Sequence, residues 1–194
     1  MTRAFAFLAV AMTLLTSVSP ARAQAGFGGF LGGGSNFGIG SGYEGGSSPI
    51  QRTRVSFPGR YAPGTIYIST GERRLYLILG NGEALRYGIG VGRDGFGWSG
   101  THHITAKKEW PGWTPPAQMR ARRPDLPAYL PGGIENPLGA RAMYLGSTLY
   151  RIHGSNEPET IGQAVSSGCI RMTNEDVTDL YNRVSVGTVV IVGN

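Results

Sequence analysis

Short runs rich in isoleucine, valine, tyrosine and threonine recur between glycines and prolines, and they restrict this chain to a fold built mainly of β-strands. Seven such runs stand out: GTIYIST, RRLYLIL, EALRYGIGV, THHITAKK, RAMYLG, TLYRIH and, at the end, GTVVIV. The pair Asn81-Gly82 separates the second run from the third. Both residues tolerate positive φ, so this pair predicts a two-residue turn between antiparallel strands.

One convincing helix is predicted near the C-terminus, in the stretch TNEDVTDLYNRV. Thr173 can cap its first turn, where acidic residues also favour the helix dipole. The residues expected to face the core are Val177, Leu180, Tyr181 and Val184. A shorter helical turn is expected to begin near Pro116, at an early position where the missing N–H of proline has no cost.

A long proline-rich segment, residues 109–139, interrupts the strand pattern. It holds seven prolines and is too irregular for strands and too apolar for a linker. Long ordered loops on a rigid strand scaffold tend to carry function. The expected fold is therefore mainly β, a single β-sandwich or partly open barrel with one C-terminal capping helix.

Three segments are expected along the chain. Residues 1–23 combine a basic start, a short apolar run and small residues, which is typical of a secretory signal peptide, with cleavage after Ala23 or Ala25. The apolar run is shorter than the roughly 20 residues of a membrane-spanning helix, so stable membrane insertion is not expected. Residues 24–48 are glycine-rich and predict a flexible tether. Residues 49–194 have the size of one folded domain.

The positive charge of the chain is modest and scattered. The formal net charge is +6, and removal of Arg3 and Arg22 with the signal peptide lowers it by two, to +4. The basic residues form no stripe or known nucleic-acid-binding module, so nucleic-acid binding is not expected of this exported chain. A mild positive charge suits an anionic polymer or envelope surface.

Cys169 is the only cysteine of the chain, although structural cysteines of exported proteins usually occur in pairs. Such a thiol can be reactive, bonded to another chain, or buried and inert, and the count alone leaves these interpretations open. A reactive cysteine needs a partner, because an unperturbed thiol is only a few per cent ionised at neutral pH. His153 is the natural partner, since it ends a predicted strand sixteen positions before the cysteine. The expected arrangement is a thiolate–imidazolium pair.

The residues beside Cys169 suit acyl transfer. Gly168 has no Cβ, so backbone N–H groups near it can turn toward one developing oxyanion. Arg171 can hold a substrate carboxylate through a bidentate contact. It can also form a salt bridge with Glu157 or Glu159, and the sequence leaves both uses open.

A metal site would require three or four ligands at a recognisable spacing. His102 and His103 are adjacent and face opposite sides of a predicted strand, so they do not readily share an ion with His153. With one cysteine and three histidines in the chain, no metal is expected.

Several stretches resemble one known family. YRIHGSN and IGQAVSSGCIRMTNEDVTDLYNRVSVGTVVIV closely resemble the catalytic core of the L,D-transpeptidases of the YkuD type. The mark of that core is a His-Gly pair followed by Ser-x-Gly-Cys, an aliphatic residue and Arg, with the cysteine about sixteen positions after the histidine. Upstream, WPGWTPP and NPLGARAMYLG resemble the bacterial envelope branch that includes ErfK and YbiS. The resemblance covers residues 58–192.

That resemblance implies a role for each site residue. Cys169 would be the nucleophile, His153 its base, and the carbonyl of Gly154 would orient the imidazole. The N–H groups of Gly168 and Cys169 would form the oxyanion hole. Substrate contacts are expected from Ser166, Ser167 and Arg171. No metal or organic cofactor would take part.

The resemblance also implies the reaction and its partners. Family enzymes cut a peptidoglycan tetrapeptide stem after its third residue, keep the acyl group on cysteine, release D-alanine and pass the acyl group to an amine, which gives 3→3 cross-links. Water as the acceptor would make the protein an L,D-carboxypeptidase, and an outer-membrane protein or lipoprotein acceptor would make it an enzyme that attaches or detaches envelope proteins. The implied location is the periplasm, in association with the cell wall. The outside alternative is a non-enzymatic wall-binding protein with an inert cysteine.

Two departures from the family pattern stand out. Ser167 occupies a position where many members have histidine, which removes one contributor to substrate or oxyanion binding. Gly97 and Trp98 stand where many relatives have Thr-Pro, so the donor pocket is expected to differ there.

Overall fold

The computed structural model describes residues 48–193. The expected signal peptide, residues 1–23, and all but the last residue of the expected tether, residues 24–48, lie outside the described residues. Among the described residues, no helix is both long and apolar enough to cross a membrane.

Strands dominate the described part of the chain, as the sequence pattern predicts. They are β1 (Thr53–Ser56), β2 (Ile66–Ser69), β3 (Arg74–Gly80), β4 (Glu83–Gly88), β5 (Val91–Gly92), β6 (Gly100–Glu109), β7 (Arg141–Leu145), β8 (Arg151–His153), β9 (Ala164–Ser166), β10 (Ile170–Arg171) and β11 (Val189–Gly193). Nine of them form one sheet in the order β1-β4-β3-β2-β11-β6-β7-β8-β10, and β5 pairs with β9.

The large sheet is mixed and curls without closing. In it β11 runs parallel to β2 and β10 runs parallel to β8, whereas the other neighbours are antiparallel. After β4, the chain reaches β10, the strand at the far edge of the sheet from β1. There the backbones of Gly90 and Arg171 exchange two hydrogen bonds of 2.9 Å. This isolated bridge is not a continuous ladder. The fold is therefore a partly open barrel, which confirms the predicted class.

The hairpin between β3 and β4 forms at the predicted turn. Asn81 and Gly82 adopt φ values of 53° and 74°, and the flanking strands are antiparallel neighbours. Because Asn and Gly reach positive φ at low cost, the local sequence is sufficient to select this turn. The turn also sets the register that places Leu75 and Leu77 in the core.

The predicted C-terminal helix is present as α2 (Asn174–Arg183) and packs against β7. It follows a shorter helix, α1 (Ala117–Arg122), in the chain. Thr173 caps α2, because its hydroxyl accepts the N–H of Asp176 at 3.2 Å. Val177 and Leu180 are fully buried, and burial of each such side chain stabilises the fold by roughly 1.5–3 kcal/mol. Since α2 starts soon after β10, its packing also holds the end of β10 in place.

Three strands escape the sequence analysis: β1, β9 and β10. They are four, three and two residues long, too short to show a period, and distant segments pair with them. The run EALRYGIGV, predicted as one strand, divides into β4 and β5 because the chain leaves the sheet after Gly88 to reach β10. In TLYRIH only Arg151–His153 form a strand. Thr148 instead closes a turn by donating its hydroxyl to the carbonyl of Leu145 at 2.6 Å.

The proline-rich segment, residues 109–139, folds into an ordered wall, called the proline-rich wall below. Its helix, α1 (Ala117–Arg122), follows Pro116, where the sequence predicts a helical turn. On either side of α1, Trp113 and Leu130 exchange two backbone hydrogen bonds of 2.8 Å. The wall is therefore a closed loop of chain rather than a loose excursion.

The buried amide of Asn136 holds the end of the proline-rich wall. Its Nδ2 donates to the carbonyls of Pro111, Leu130 and Pro131 at 3.1, 3.3 and 2.8 Å. Its Oδ1 accepts the N–H of Leu138 at 2.9 Å. One side chain thus donates to the carbonyls of Pro111 and Pro131, and it adds a second contact to the Leu130 carbonyl, which already accepts the N–H of Trp113.

Replacement of Asn136 by aspartate keeps the size of the side chain but removes both amide hydrogens. We expect Asn136→Asp to lower the free energy of unfolding by about 2–4 kcal/mol, because a buried carboxyl group then faces unsatisfied carbonyl oxygens. Urea denaturation measures this change. Asn182→Asp, the same substitution at an exposed position of α2, should change it by no more than about 0.5 kcal/mol. Equal losses in the two variants would contradict the role given to Asn136.

Candidate active site

A cavity of about 390 Å³ opens where the end of β8, the loop between β9 and β10, and the proline-rich wall meet. Cys169 and His153 both line it, so the structure brings the two residues of the predicted pair to one site. Ser166, Ser167 and Arg171 line it as well.

His153 is the last residue of β8, and the strands on both sides fix its position. It pairs with Ala142 of β7 and with Arg171 of β10, and only 4% of its surface is exposed. Its Nδ1 lies 2.6 Å from the carbonyl oxygen of Gly154. Because a carbonyl oxygen only accepts, Nδ1 carries the proton, and Nε2 has the lone pair that a general base needs.

Gly154 makes this contact in a space that admits no side chain. A Cβ there would meet Oδ1 of Asn174, which accepts the N–H of Ala140 at 2.8 Å. The end of the proline-rich wall, the start of α2 and the end of β8 are thereby joined behind the histidine. The carbonyl of Gly154 lies within hydrogen-bond distance of His153.

One buried serine holds the loop that carries Cys169. The Oγ of Ser166 donates to the Cys169 carbonyl at 2.6 Å and accepts the Gly168 N–H at 3.1 Å. Gly168 has a φ of +105°, which other residues rarely adopt. Of the two N–H groups expected to form the oxyanion hole, that of Gly168 is bonded to Ser166. The Cys169 N–H, in contrast, has no hydrogen bond within residues 48–193.

The two serines before Gly168 differ in their surroundings. Ser166 is buried and donates its only hydroxyl hydrogen to Cys169, so toward a substrate it can only accept. Ser167 is partly exposed on the cavity surface. Of the two, Ser167 is better placed for the substrate contact that the sequence analysis expects of both.

Burial dominates the charge state of Cys169 and His153. It lowers the pKa of His153 from 6.5 to about 3; the hydrogen bond to Gly154 opposes this shift, and the charges of Arg171 and Arg151 add to it. Burial also raises the pKa of the Cys169 thiol, although Arg151 opposes that shift. Both groups are therefore neutral at pH 7, and a resting thiolate–imidazolium pair is not favoured. The site instead suits a histidine that takes the thiol proton during attack.

Two arginines flank the pair, and they differ in their partners. Arg171 Nη1 lies 2.9 Å from Oε2 of Glu157, so one of the two predicted salt bridges is present, and Arg171 still lines the cavity. Arg151, which the sequence analysis did not single out, also lines the cavity. Its buried Nε has no hydrogen-bond partner, and it forms no ion pair with a carboxylate in the described part of the chain. Strand alternation places Arg151 on the same face of β8 as His153, a signal that the sequence did contain.

Neither of the adjacent histidines of β6 lines the cavity. His102 packs edge-on against Trp98, with ring centres 5.2 Å apart, and His103 is exposed. Within residues 48–193, no group of three or more His, Cys, Asp or Glu side chains is placed to hold a metal ion.

Comparison with known proteins identifies the family of this chain. The family model of the YkuD domain, described as the L,D-transpeptidase catalytic domain, matches residues 63–192. The chain belongs to this family. The resemblance drawn from the sequence motifs is thereby confirmed, including its envelope branch, to which one curated relative, YbiS, belongs.

That relative, "Probable L,D-transpeptidase YbiS" of Escherichia coli (strain K12), is 42% identical over 132 residues, which are 63% of this chain and 42% of YbiS. The chain thus spans about two fifths of the length of this relative. A crystal structure from Brucella melitensis, of a protein named a probable carnitine operon oxidoreductase, caia, is 46% identical with a TM-score of 0.52, covering 73% of this chain and 92% of that one. L,D-transpeptidase 3 from Mycobacterium tuberculosis, 18% identical with a TM-score of 0.52, covers 67% of this chain and 60% of its own, and it shows a shared fold.

The lowered pKa of His153 should make the folded state sensitive to acid. The folded protein protonates this imidazole only near pH 3, whereas the unfolded chain does so near pH 6.5. The stability that this difference contributes is complete above pH 6.5 and is lost as the pH falls toward 3. We expect His153→Gln to reduce the pH dependence of the unfolding free energy in this window by up to about one proton per molecule. Urea denaturation between pH 7 and pH 4 measures it, and His103→Gln, at an exposed position, should behave as the unmodified protein.

Loss of the Arg151 charge should make the thiol harder to ionise. We expect Arg151→Gln to raise the pKa of Cys169 further and to slow its alkylation by iodoacetamide several-fold between pH 7 and pH 9, because a nearby positive charge stabilises the thiolate. Arg171→Gln is the matched control, since Glu157 already offsets the Arg171 charge, and its effect should be smaller. The reverse order of effects would contradict this account.

Proposed function

We propose that this protein is an L,D-transpeptidase that forms 3→3 cross-links in peptidoglycan. The observation that carries the proposal is the placement of Cys169 and His153 on one cavity, with the His153 Nδ1 held 2.6 Å from the Gly154 carbonyl. Membership of the L,D-transpeptidase catalytic domain family supports the same reaction class.

The first half of the reaction is acyl transfer to sulfur. Sγ of Cys169 attacks the carbonyl carbon of the third stem residue while Nε2 of His153 takes the thiol proton. The Nδ1–H bond to the Gly154 carbonyl keeps the ring oriented and favours the imidazolium that forms. The Cys169 N–H stabilises the negative charge that develops on the carbonyl oxygen.

The second half returns the enzyme to its starting state. Nε2–H protonates the amine of D-alanine as the peptide C–N bond breaks, which leaves a thioester on Cys169. An acceptor amine then attacks the thioester and loses its proton to Nε2 of His153. The thiol is restored as the new amide bond forms.

The cavity surface suits an anionic peptide. Arg122, Arg151 and Arg171 line it, and among the described residues that line it there is no Asp or Glu. Peptidoglycan stems carry free carboxylates, which guanidinium groups bind through paired hydrogen bonds. Met119 and Leu149 offer apolar surface for the aliphatic parts of the stem.

The proposed place of action is the periplasm, at the cell wall. Residues 1–23 support export, because their sequence is typical of a secretory signal peptide. The proposed acceptor is the side-chain amine of diaminopimelate in a neighbouring stem. Hydrolysis of the same thioester, or its transfer to an outer-membrane protein or lipoprotein, would use the same residues.

Incubation of the purified protein with a disaccharide tetrapeptide should give an acyl adduct on Cys169, free D-alanine and then 3→3 dimers. Intact-protein and muropeptide mass spectrometry detect all three. His153→Gln should slow adduct formation by roughly 10²–10⁴-fold, the usual contribution of a general base, and Cys169→Ala should abolish it. His103→Gln, which removes a histidine outside the cavity, should react at the rate of the unmodified protein.

A folded protein that forms neither adduct nor dimers would contradict the proposal. An adduct that yields only tripeptide would identify an L,D-carboxypeptidase instead. Transfer to an added envelope-protein amine, without dimers, would identify a protein-attaching enzyme.

A further inference from the structure

Trp98 lies over the loop that carries Cys169 and makes contacts that the proposed mechanism has not used. Its Nε1–H donates to the carbonyl oxygen of Gly168 at 2.6 Å. Its indole stacks on the ring of Tyr150, with ring centres 4.3 Å apart and planes 3° apart, and His102 meets it edge-on. The indole is thus held by two aromatic contacts while it donates one short hydrogen bond.

That hydrogen bond reaches the peptide group of the nucleophile. The carbonyl of Gly168 and the N–H of Cys169 belong to one peptide unit, and no peptide bond of the described residues is cis. In a planar trans unit the C=O and the N–H point in opposite directions. Because Trp98 fixes the direction of the Gly168 carbonyl, it also fixes the direction of the Cys169 N–H.

The Cys169 N–H is a donor that this loop leaves free. Ser166 already binds the Gly168 N–H and the Cys169 carbonyl, whereas the Cys169 N–H has no partner within residues 48–193. Glycine populates a wide range of φ and ψ, so Gly168 alone would let the peptide unit rotate. The hydrogen bond from Trp98 removes that freedom.

We propose that Trp98 is a positioning residue that aims the Cys169 N–H at the oxyanion formed when Cys169 accepts an acyl group. The hydrogen bond also polarises the peptide unit and strengthens its N–H as a donor. The inference rests on the proposed function only in treating Cys169 as an acyl-accepting nucleophile. It gives a role to Gly97-Trp98, where this chain departs from the Thr-Pro of many relatives.

The packing around Gly168 supports this role. A Cβ on Gly168 would lie 2.6 Å from Cε1 of Tyr150 and 3.4 Å from the carbonyl oxygen of Phe96. The ring on which Trp98 stacks therefore also lies against the peptide that Trp98 binds. Trp98, Tyr150 and Gly168 form one contact set, and a shift of the indole would be transmitted directly to the loop.

Two reagents that react with Cys169 in different ways separate this role from a general effect on the fold. With p-nitrophenyl acetate, the S–C bond forms at the ester carbonyl, an oxyanion develops, p-nitrophenolate leaves and the thiol proton goes to His153. With iodoacetamide, the S–C bond forms as iodide leaves, the thiol proton goes to His153 or to solvent, and no oxyanion appears. The ratio of the acylation rate to the alkylation rate therefore reports the oxyanion donor, and neither reagent requires peptidoglycan.

Trp98→Phe is the main variant, since a phenyl ring can still stack on Tyr150 but has no N–H to donate. We expect its acylation rate to fall roughly ten- to hundredfold, less than the roughly 10²–10³-fold loss on removal of a direct oxyanion donor. Its alkylation rate and the pH profile of alkylation should stay within about twofold of the unmodified protein. Trp110→Phe is the matched control, because it makes the same substitution at a tryptophan that does not line the cavity, and its ratio should not change. Tyr150→Leu keeps the indole N–H but removes its stacking partner, so it should lower the ratio by less.

An unchanged ratio in Trp98→Phe would overturn the inference. Equal slowing of both reactions would also overturn it, because the indole would then act on the thiol or on the fold. Thermal unfolding shows whether each variant is folded, and if Trp98→Phe is not, the ratio in Tyr150→Leu decides. Failure of the proposed function would look different: the ester would acylate the unmodified protein, whereas the tetrapeptide would not.

Discussion

The parallel pairing of β10 with β8 brings Cys169 and His153 to one cavity, and the rest of the site depends on it. Arg171 of β10 lies opposite His153 of β8, so Cys169, two residues before Arg171, is level with Arg151 and on the same face of the sheet as His153. Parallel strands need a crossover, since a tight turn joins only antiparallel strands. The sixteen positions from His153 to Cys169 form this crossover, with a short 3-10 helix at Pro158–Thr160 and β9 within it. The spacing in the motif is therefore the length of chain that a parallel return requires.

Burial at this pairing governs the chemistry. A charge on His153 would be poorly solvated, so the acid–base pair is neutral until attack begins. The positive charges of Arg151 and Arg171 oppose protonation of the imidazole and favour ionisation of the thiol. In the proposed mechanism, charge separation therefore appears only with the tetrahedral intermediate, toward which the Cys169 N–H is proposed to point. A neutral resting pair limits side reactions with other electrophiles, because the thiolate and not the thiol is the nucleophile.

Local sequence signals predicted the features that local contacts build. The Asn81-Gly82 turn and the Thr173 cap each depend on residues a few positions apart, and both are present. The contacts that hold the Cys169 loop were not predictable in this way. Trp98 and Gly168 are 70 positions apart, and neither stretch carries a mark that points to the other. Ser166 shows a second limit, because the sequence does not tell whether a hydroxyl will bind a substrate or its own loop.

The attachment of α1 has a consequence for how firmly the cavity is enclosed. α1 buries none of its side chains, although Met119 contributes to the cavity surface. The hydrogen bonds that hold the proline-rich wall, made by Trp113, Leu130 and Asn136, all lie outside the helix. Segments with few buried contacts open locally at a free energy well below that of global unfolding. Because α1 has few such contacts, its local opening costs less free energy than unfolding of the sheet, and the cavity is least firmly held on the side that Met119 lines.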